Sequence, residues 1–263
     1  MRVATDIGGT FTDLVALDEQ TGAVSTAKVS TTPSNFAQGV VDSIQKAAQD
    51  AAQTAFFIHG STIVINALTE RKGVKTGLIT TKGFRDVLEI GRANRPDIYN
   101  MAYVKPVPFV PRYLRREVGE RLNYKGEVLT PLDRADVERE VRFLLDEGVV
   151  AIAVCFLHSY ANPAHEIACG EIIRGLTPNI PVTLSHEITQ EWREYERTNT
   201  AVLNSYVHPI ARQYLDHLET SLVGMGMPRE ALHVMQSNGG SATFAAAKVA
   251  PIHLVESGPV AGV

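Results

Sequence analysis

The stretch Asp6-Ile-Gly-Gly-Thr-Phe-Thr-Asp13 decides the reading of this chain. It lies where a first strand, residues 2–7, turns into a second at residues 13–18. The adjacent glycines Gly8 and Gly9 let the backbone approach an anion and turn successive N–H groups toward it. Thr10 and Thr12 add hydroxyls. Asp6, at the strand end, offers a carboxylate of the kind that holds Mg²⁺ through water. Charge-assisted N–H bonds to phosphate contribute roughly 1.5–3 kcal/mol each, so three or four hold a nucleotide tail. The competing reading is a tight hairpin with glycine at positive φ and Asp13 in a surface ion pair. The flanking D-x-G-G-T-x-T-D pattern favours the phosphate loop. Neither GxxxxGK[ST] nor GxGxxG occurs, which removes P-loop and dinucleotide folds.

Outward from this loop, a turn at Glu19-Gln-Thr-Gly22 leads to a third strand at 23–30, completing an antiparallel meander. Phe36, Val40, Val41, Ile44 and Ala48 repeat at helical spacing within 35–52. A buried strand at 56–59, a helix from Gly60 to about Arg71 and a strand at 77–80 follow. The order β-β-β-α-β-α-β predicts an α/β fold, the ribonuclease-H-like half-domain of actin-like ATPases and sugar kinases with a mixed sheet. Residues 83–132, punctuated by Pro96, Pro106, Pro108 and Pro111, read as an extended insertion that buries Ile98, Tyr99, Tyr103, Phe109 and Tyr113. Asp133 caps a helix with Val137, Val141, Leu144 and Leu145 on one face, ending at Gly148. A strand at 148–157, a helix at 164–175 and a strand at 182–185 complete an inserted α/β unit. Residues 190–223 are helical, with a break at Pro209 and with Asp216, His217 and Glu219 facing solvent. The expected divisions are a first lobe at 1–82, the insertion at 83–132, the α/β unit at 133–190, and a helical segment with the start of a second lobe at 191–263. Because the chain stops just after a glycine loop that should open another helix, a truncated product is expected.

Composition narrows the function. The 263 residues carry 25 Lys and Arg against 29 Asp and Glu, a net charge of −4, which gives no positive field for nucleic acid. The longest apolar run, 148–157, is half of the roughly 20 residues needed to cross a bilayer. Asp6 interrupts any signal-peptide apolar region. The two cysteines, Cys155 and Cys169, have no CxxC spacing, so neither a disulfide scaffold nor a metal knuckle is expected. A reduced cytoplasmic protein without nucleic-acid or membrane partners follows.

Beyond the loop, His59 and Arg92 are the candidate catalytic residues. His59 precedes Gly60-Ser-Thr at a helix start, where it either faces substrate or ends a strand while Ser61 or Thr62 caps the helix. Arg85, Arg92 and Arg95 either grip a carboxylate or imide oxygen or form a solvated mixed-charge face, the second being favoured. His158, His165 and Glu166 lack metal-site spacing and read as structural or inter-domain. Glu194, Glu196 and Arg197 either form a buried ion network or a catalytic acid–base pair, or Glu194 and Arg197, three apart on one helix face, pair within the helix, the last being favoured. Asn238-Gly-Gly240 and Ser257-Gly258 read as nests or tight turns that line the cleft.

The chain resembles the hydantoinase/oxoprolinase A-type family. The matching stretches are DIGGTFTDLV (6–15), HGSTIVINALTERKG (59–73), TTKGFRDVLEIGRANRPDIYN (80–100), VPRYLRREVGERL (110–122), AVCFLHSYANPAHE (153–166), EYERTNTAVLNSYV (194–207), MQSNGG (235–240) and ESGPVAG (256–262). Ser61 stands where the family commonly has threonine, and Val260 where it has alanine. The resemblance implies an actin-like ATP-binding fold with Asp6, Gly8, Gly9, Thr10, Thr12 and Asp13 in the first phosphate loop, and ATP and Mg²⁺ as cofactors with Asp6 holding the metal through water. It also implies an ATP-dependent hydrolase of hydantoin or 5-oxoproline type, or a related carboxylase. Such an enzyme activates a small cyclic amide or carbonyl substrate by phosphorylation and works with a B-type subunit in an oligomer. A second phosphate loop and an adenosine segment would lie downstream, so this polypeptide alone is expected not to turn over ATP. The readings from other classes are an actin-like small-molecule kinase and a non-catalytic assembly module.

Overall fold

The computed structural model describes every residue except 33, 34, 48, 49, 93, 95, 96, 98, 262 and 263. The expectations resting on Ala48, Arg95, Pro96, Ile98 and Gly262 therefore lie outside the described residues. The chain forms two compact units, Met1–Lys72 with Ile210–Val263, and Gly73–Pro209.

In the first unit β1 (Arg2–Ile7), β2 (Phe11–Leu17) and β3 (Val24–Ser30) form the expected antiparallel meander. Strict alternation of buried and exposed positions along β2 leaves one sheet face against the core. Helix α1 (Phe36–Lys46) lays Ala37, Val40 and Ile44 on that face. β4 (Phe56–Ser61) pairs in parallel with β1, and α2 (Ile63–Thr69) follows it at once. Both helices are shorter than their apolar spacing predicts.

The second unit opens with β5 (Thr76–Thr81) and the short α3 (Val87–Ile90). β6 (Arg115–Val118) precedes a small hairpin of β7 (Arg121–Leu122) and β8 (Val128–Thr130). α4 (Arg134–Asp146), β9 (Ala151–Cys155), α5 (Ala164–Leu176), β10 (Val182–Leu184) and α6 (Ser185–Ile188) follow, and then the long α7 (Glu194–Gly224) begins. The sheet order is β10-β9-β5-β6, parallel throughout. β5 was expected in the first lobe. Every one of its six residues is buried, and it pairs with β9 and β6. That places the break between the units at residues 72 and 73 rather than 82 and 83, and residues 83–132 and 133–190 share one unit.

Tyr99 and Tyr113, expected inside, are 92% and 50% exposed. Leu88, Val110 and Leu114 supply the buried contacts of that stretch, and Tyr113 lies under the Lys75 ammonium. Asp133 caps α4 as expected, accepting from the Asp136 amide. Pro209 lies inside α7 instead of ending it, at the cost of the ladder bond to the Ser205 carbonyl. Arg197 does not pair with Glu194. It is fully buried and donates to the carbonyls of Phe156 at 2.6 Å, Glu191 at 2.7 Å and Trp192 at 3.4 Å. The histidine–carboxylate reading as structural holds in detail: His165 bonds Glu120 at 2.7 Å, and Glu166 is fully buried among its donors. Both cysteines are free and buried.

The chain then returns to the first unit. β11 (Leu232–Met235) pairs in parallel with β4, and β12 (Ser241–Thr243) closes that edge antiparallel to β11. The sheet order is β12-β11-β4-β1-β2-β3. α8 (Phe244–Val249) and α9 (Ser257–Ala261) complete the unit. Glu219, expected in solvent, is buried because Arg229 and Lys248 both reach it. Among the described residues no helix is long and apolar enough to cross a membrane.

Candidate phosphate and metal site

Three parallel strands of the first unit, β1, β4 and β11, end at the same edge of the sheet. Ligand sites on such sheets lie beyond the carboxyl ends of the strands. Asp6 sits at that end of β1, in register with Gly60 on one side and Asp13 on the other. The β1–β2 turn is closed by the Gly8 amide donating to Phe11 O at 3.0 Å and by the Thr31 hydroxyl donating to Gly8 O at 2.9 Å. Neither Gly8 nor Gly9 has positive φ, so the conformation does not itself demand glycine. Space does not demand it either: a Cβ on Gly9 would meet nothing within 4 Å, so the turn stands open there. Among the described residues the amides of Gly9 and Thr10 donate to no protein acceptor, and both residues are exposed. A turn with two free, outward amides beside a carboxylate is chemically suited to a metal-bound phosphate.

The predicted loop residues separate into two groups. Asp6, Gly8, Gly9 and Thr10 gather at this edge. Thr12 does not: it is buried beneath α1, its hydroxyl 3.3 Å from that of Thr31 and against Gly39. The alternation of β2 is the reason, since it turns every second residue from Thr12 to Ala16 inward. Asp13 is exposed and holds the Lys28 ammonium at 3.0 and 3.1 Å, the surface ion pair of the competing reading.

Asp6 itself is half-buried, and its Oδ1 is a buried oxygen with no partner. Burial first, and the Asp13 carboxylate next, push the Asp6 carboxyl above its ordinary range. An orphan hard oxygen with a raised proton affinity fits Mg²⁺, which takes one or two carboxylates and keeps waters. Among the described residues no set of three or more His, Cys, Asp or Glu converges to cage a metal, so an ion here would rest on Asp6, water and phosphate oxygens.

The far side of the edge is built by the last segment of the chain. The Ser257 hydroxyl donates to Ser61 O at 2.8 Å and accepts from the Ser61 amide at 3.3 Å, clamping α9 to the end of β4. This close approach requires glycine at 258, where a Cβ would come within 2.9 Å of Thr62 Cγ2 and 3.4 Å of Asp6 Oδ1. The Gln236–Gly240 turn joins it: Ser237 Oγ donates to His253 O and accepts from the Glu256 amide, while Asn238 Oδ1 accepts from the Gly240 amide. Four glycine-bearing motifs spread over 250 residues thus meet at one edge.

His59 lies one position below. It is 1% exposed, with Nδ1 2.9 Å from Thr5 Oγ1 and Nε2 2.7 Å from the Tyr214 hydroxyl. Burial lowers its pKa to about 3 and keeps the ring neutral. His59 thus belongs to the strand end, as the second reading has it; Ser61 Oγ accepts the Ile63 amide, while Thr62, at the N-cap of α2, makes no capping bond and donates instead to Ile7 O. Because the folded pKa is depressed, the unfolded chain binds the proton first; stability should fall as pH drops from about 6.5 toward 3. A His59→Gln variant should show a flatter stability profile across that window by thermal melting. Equal slopes would remove this assignment. Thr5 and Tyr214 carried no signal in the sequence, since Tyr214 meets its partner 155 positions away. Arg92, in the second unit, is paired with Glu196, the mixed-charge face rather than a free substrate grip.

Residues 2–177 match the family described as hydantoinase/oxoprolinase N-terminal region, and residues 197–263 match hydantoinase/oxoprolinase. The chain is 39% identical to an uncharacterised protein of Methanocaldococcus jannaschii over 99% of its own length and 39% of the relative's. It is 32% identical to the caprolactamase subunit alpha of Pseudomonas jessenii over 98% of this chain and 38% of that one. The nucleotide-free structure of acetone carboxylase, from work on ATP-dependent acetone carboxylation, superposes with a TM-score of 0.90 at 28% identity, covering 99% of this chain and 39% of that one. The chain therefore spans about two fifths of the length of these relatives. It belongs to the hydantoinase/oxoprolinase family.

Proposed function

We propose that this chain is the phosphate-binding N-terminal portion of an ATP-dependent enzyme that activates a small cyclic amide or carbonyl substrate by phosphorylation. The observation that carries the reading is the edge at Asp6: a partnerless buried carboxylate oxygen beside two unpaired amides. The names of the relatives, a caprolactamase subunit and an ATP-dependent acetone carboxylase, support the reaction class. The fold reading, a ribonuclease-H-like half-domain of actin-like ATPases, is supported by the antiparallel meander continued by two parallel strands, β4 and β11.

In this reaction the amide or carbonyl oxygen takes the γ-phosphoryl group of ATP and ADP leaves. The carbon that bears the phosphorylated oxygen is then a better electrophile for water or for a carbon nucleophile, whose attack ends with loss of inorganic phosphate, and a B-type subunit carries out that second half in the cytoplasm. Bound Mg²⁺ would neutralise charge on the phosphate oxygens. The chain's own residues hold and orient. Gly9 and Thr10 donate amide protons to phosphate, Asp6 holds the metal's water shell, and Ser257 with Gly258 keeps the edge narrow around Asp6. Transfer of this kind depends chiefly on positioning and charge stabilisation, so no side chain of the edge is required as a base.

ADP release by the natural protein with its B-type partner tests the reading. Release stimulated by hydantoin, 5-oxoproline or ε-caprolactam is expected. Stimulation by hexoses alone would replace it with a sugar-kinase function, and partner binding without any nucleotide dependence would replace it with an assembly module.

A further inference from the structure

A second concavity opens in the first unit between the start of α1, one face of α2 and the α7 segment from Ile210 to His217. It encloses about 550 Å³, within the range of small-molecule sites. Its walls are apolar at Phe36, Ile63 and Ile210 and neutral-polar at Asn35, Asn66 and Gln213. The two opposite charges at its rim, Glu70 and Lys72, are spent on each other at 2.6 Å. No net charge is therefore offered to a ligand from the walls, and a carboxylate or phosphate would be poorly served.

Asn35 supplies an independent pointer. It occupies the N-cap position of α1, where asparagine ordinarily accepts a bond from the first turn. Here its side chain makes no capping bond, and its Oδ1 is buried with no partner. Asn35 lines the groove, and a rotation of its side chain would bring this unspent oxygen to an N–H donor of a ligand. Asn66 spends one amide proton on Thr62 Oγ1 at 3.2 Å and so is held in place beside that oxygen. Carboxamides offer both a donor and an acceptor, the complement of another amide.

The groove also adjoins the phosphate edge. Ile63 and Tyr214 line it and also line a small cavity of about 10 Å³ shared with Ser61 and Ser257. Tyr214 is held there by its 2.7 Å bond to His59. We infer that this groove seats the neutral ring of the cyclic amide, with Asn35, Asn66 and Gln213 contacting its amide and Phe36, Ile63 and Ile210 its methylenes. The inference rests on the proposed reaction for the identity of the ligand, and on the groove alone for its place.

Binding of ε-caprolactam and of hydantoin to the protein, measured by saturation-transfer NMR and calorimetry with and without Mg-ATP, tests it apart from turnover. Gln213 is exposed, so Gln213→Trp can fill the groove without disturbing the core. That variant and Asn66→Leu are expected to weaken binding at least tenfold, while Thr26→Ala on the outward face of β3 leaves it unchanged. Unaltered affinity in both variants, with native circular dichroism, overturns the inference. So does absence of binding to the unmodified protein while amide-dependent ADP release persists, and in that case the proposed reaction stands. Groove-dependent binding without any amide-dependent ADP release supports the groove and overturns the reaction.

Discussion

Asp6→Asn is expected to weaken Mg²⁺-dependent nucleotide binding by about 10- to 100-fold without unfolding the protein. The substitution keeps the shape of the side chain and its neighbours at the end of β1. It removes the carboxylate charge, for which a charge-assisted contact contributes roughly 1.5–3 kcal/mol, or about a 10- to 100-fold loss in affinity. Stability should move the other way. The Asp6 carboxyl is raised by burial and by the Asp13 carboxylate, so the unfolded chain gives up its proton at lower pH than the native one. Native stability is thus lost as pH rises from the ordinary aspartate value through the raised one, and it stays lower above that. Asparagine carries no such penalty. At pH 7 without metal the variant should melt at or above the temperature of the parent. Mg²⁺ with ADP should raise the melting temperature of the parent more than that of the variant. A variant that melts lower and responds to Mg²⁺ as the parent does would show that Asp6 is a structural residue.

Glu166→Ala carries the largest expected loss of stability. The carboxylate is fully buried and accepts four bonds: from the Phe156 amide at 2.9 Å, the Ser185 hydroxyl at 2.6 Å, the His186 amide at 3.1 Å and His186 Nδ1 at 2.7 Å. These tie the N-terminal turn of α5 to the segments that follow β9 and β10. Truncation takes the acceptor from the Phe156 and His186 amides and from His186 Nδ1, leaves the Ser185 hydroxyl only Ser159, and opens a cavity besides. Each stranded group costs about 1–3 kcal/mol, and relaxation recovers part of that, so a net loss of about 3–5 kcal/mol is expected. For a chain of this size that corresponds to a fall in melting temperature of roughly 6–20 °C. Glu166→Gln should recover only part of it, because the amide nitrogen points a donor at donors. Chemical denaturation of the three proteins settles the order, and a change below about 1 kcal/mol in the alanine variant would show that the network is not a cornerstone of the second unit.

Local pattern carried much of the architecture. The alternation in β2, the Asp133 cap with Gly148 at the end of α4 and the apolar run of β9 all rest on side chains within a few residues of one another. The turn at Asp6 was legible for the same reason, since strand end, glycine pair and carboxylate are contiguous. Local pattern failed where a choice depended on a distant partner. β5 reads equally well in either sheet, and only the fit of its six buried residues between β9 and β6 decides. Arg197 has Glu194 one turn away, yet the carbonyls of Phe156 and Glu191 claim it. Tyr99 and Tyr113 look as apolar as Val110 and Leu114, and burial went to the aliphatic pair.

The sequence by itself determined the strand–turn–strand at Asp6, the near balance of charge and the family resemblance, because these are properties of contiguous residues and of their order. Only the tertiary structure decided that Thr12 turns inward and Asp13 is held by Lys28, leaving Asp6, Gly8, Gly9 and Thr10 together at the strand ends. It alone brought Ser257 and Gly258 against Ser61 and Thr62, locked His59 between Thr5 and Tyr214, and left Asn35 unspent on the groove wall. Each of these outcomes is a competition for hydrogen-bond partners or for burial between residues far apart in the chain, and such a competition has no local signature.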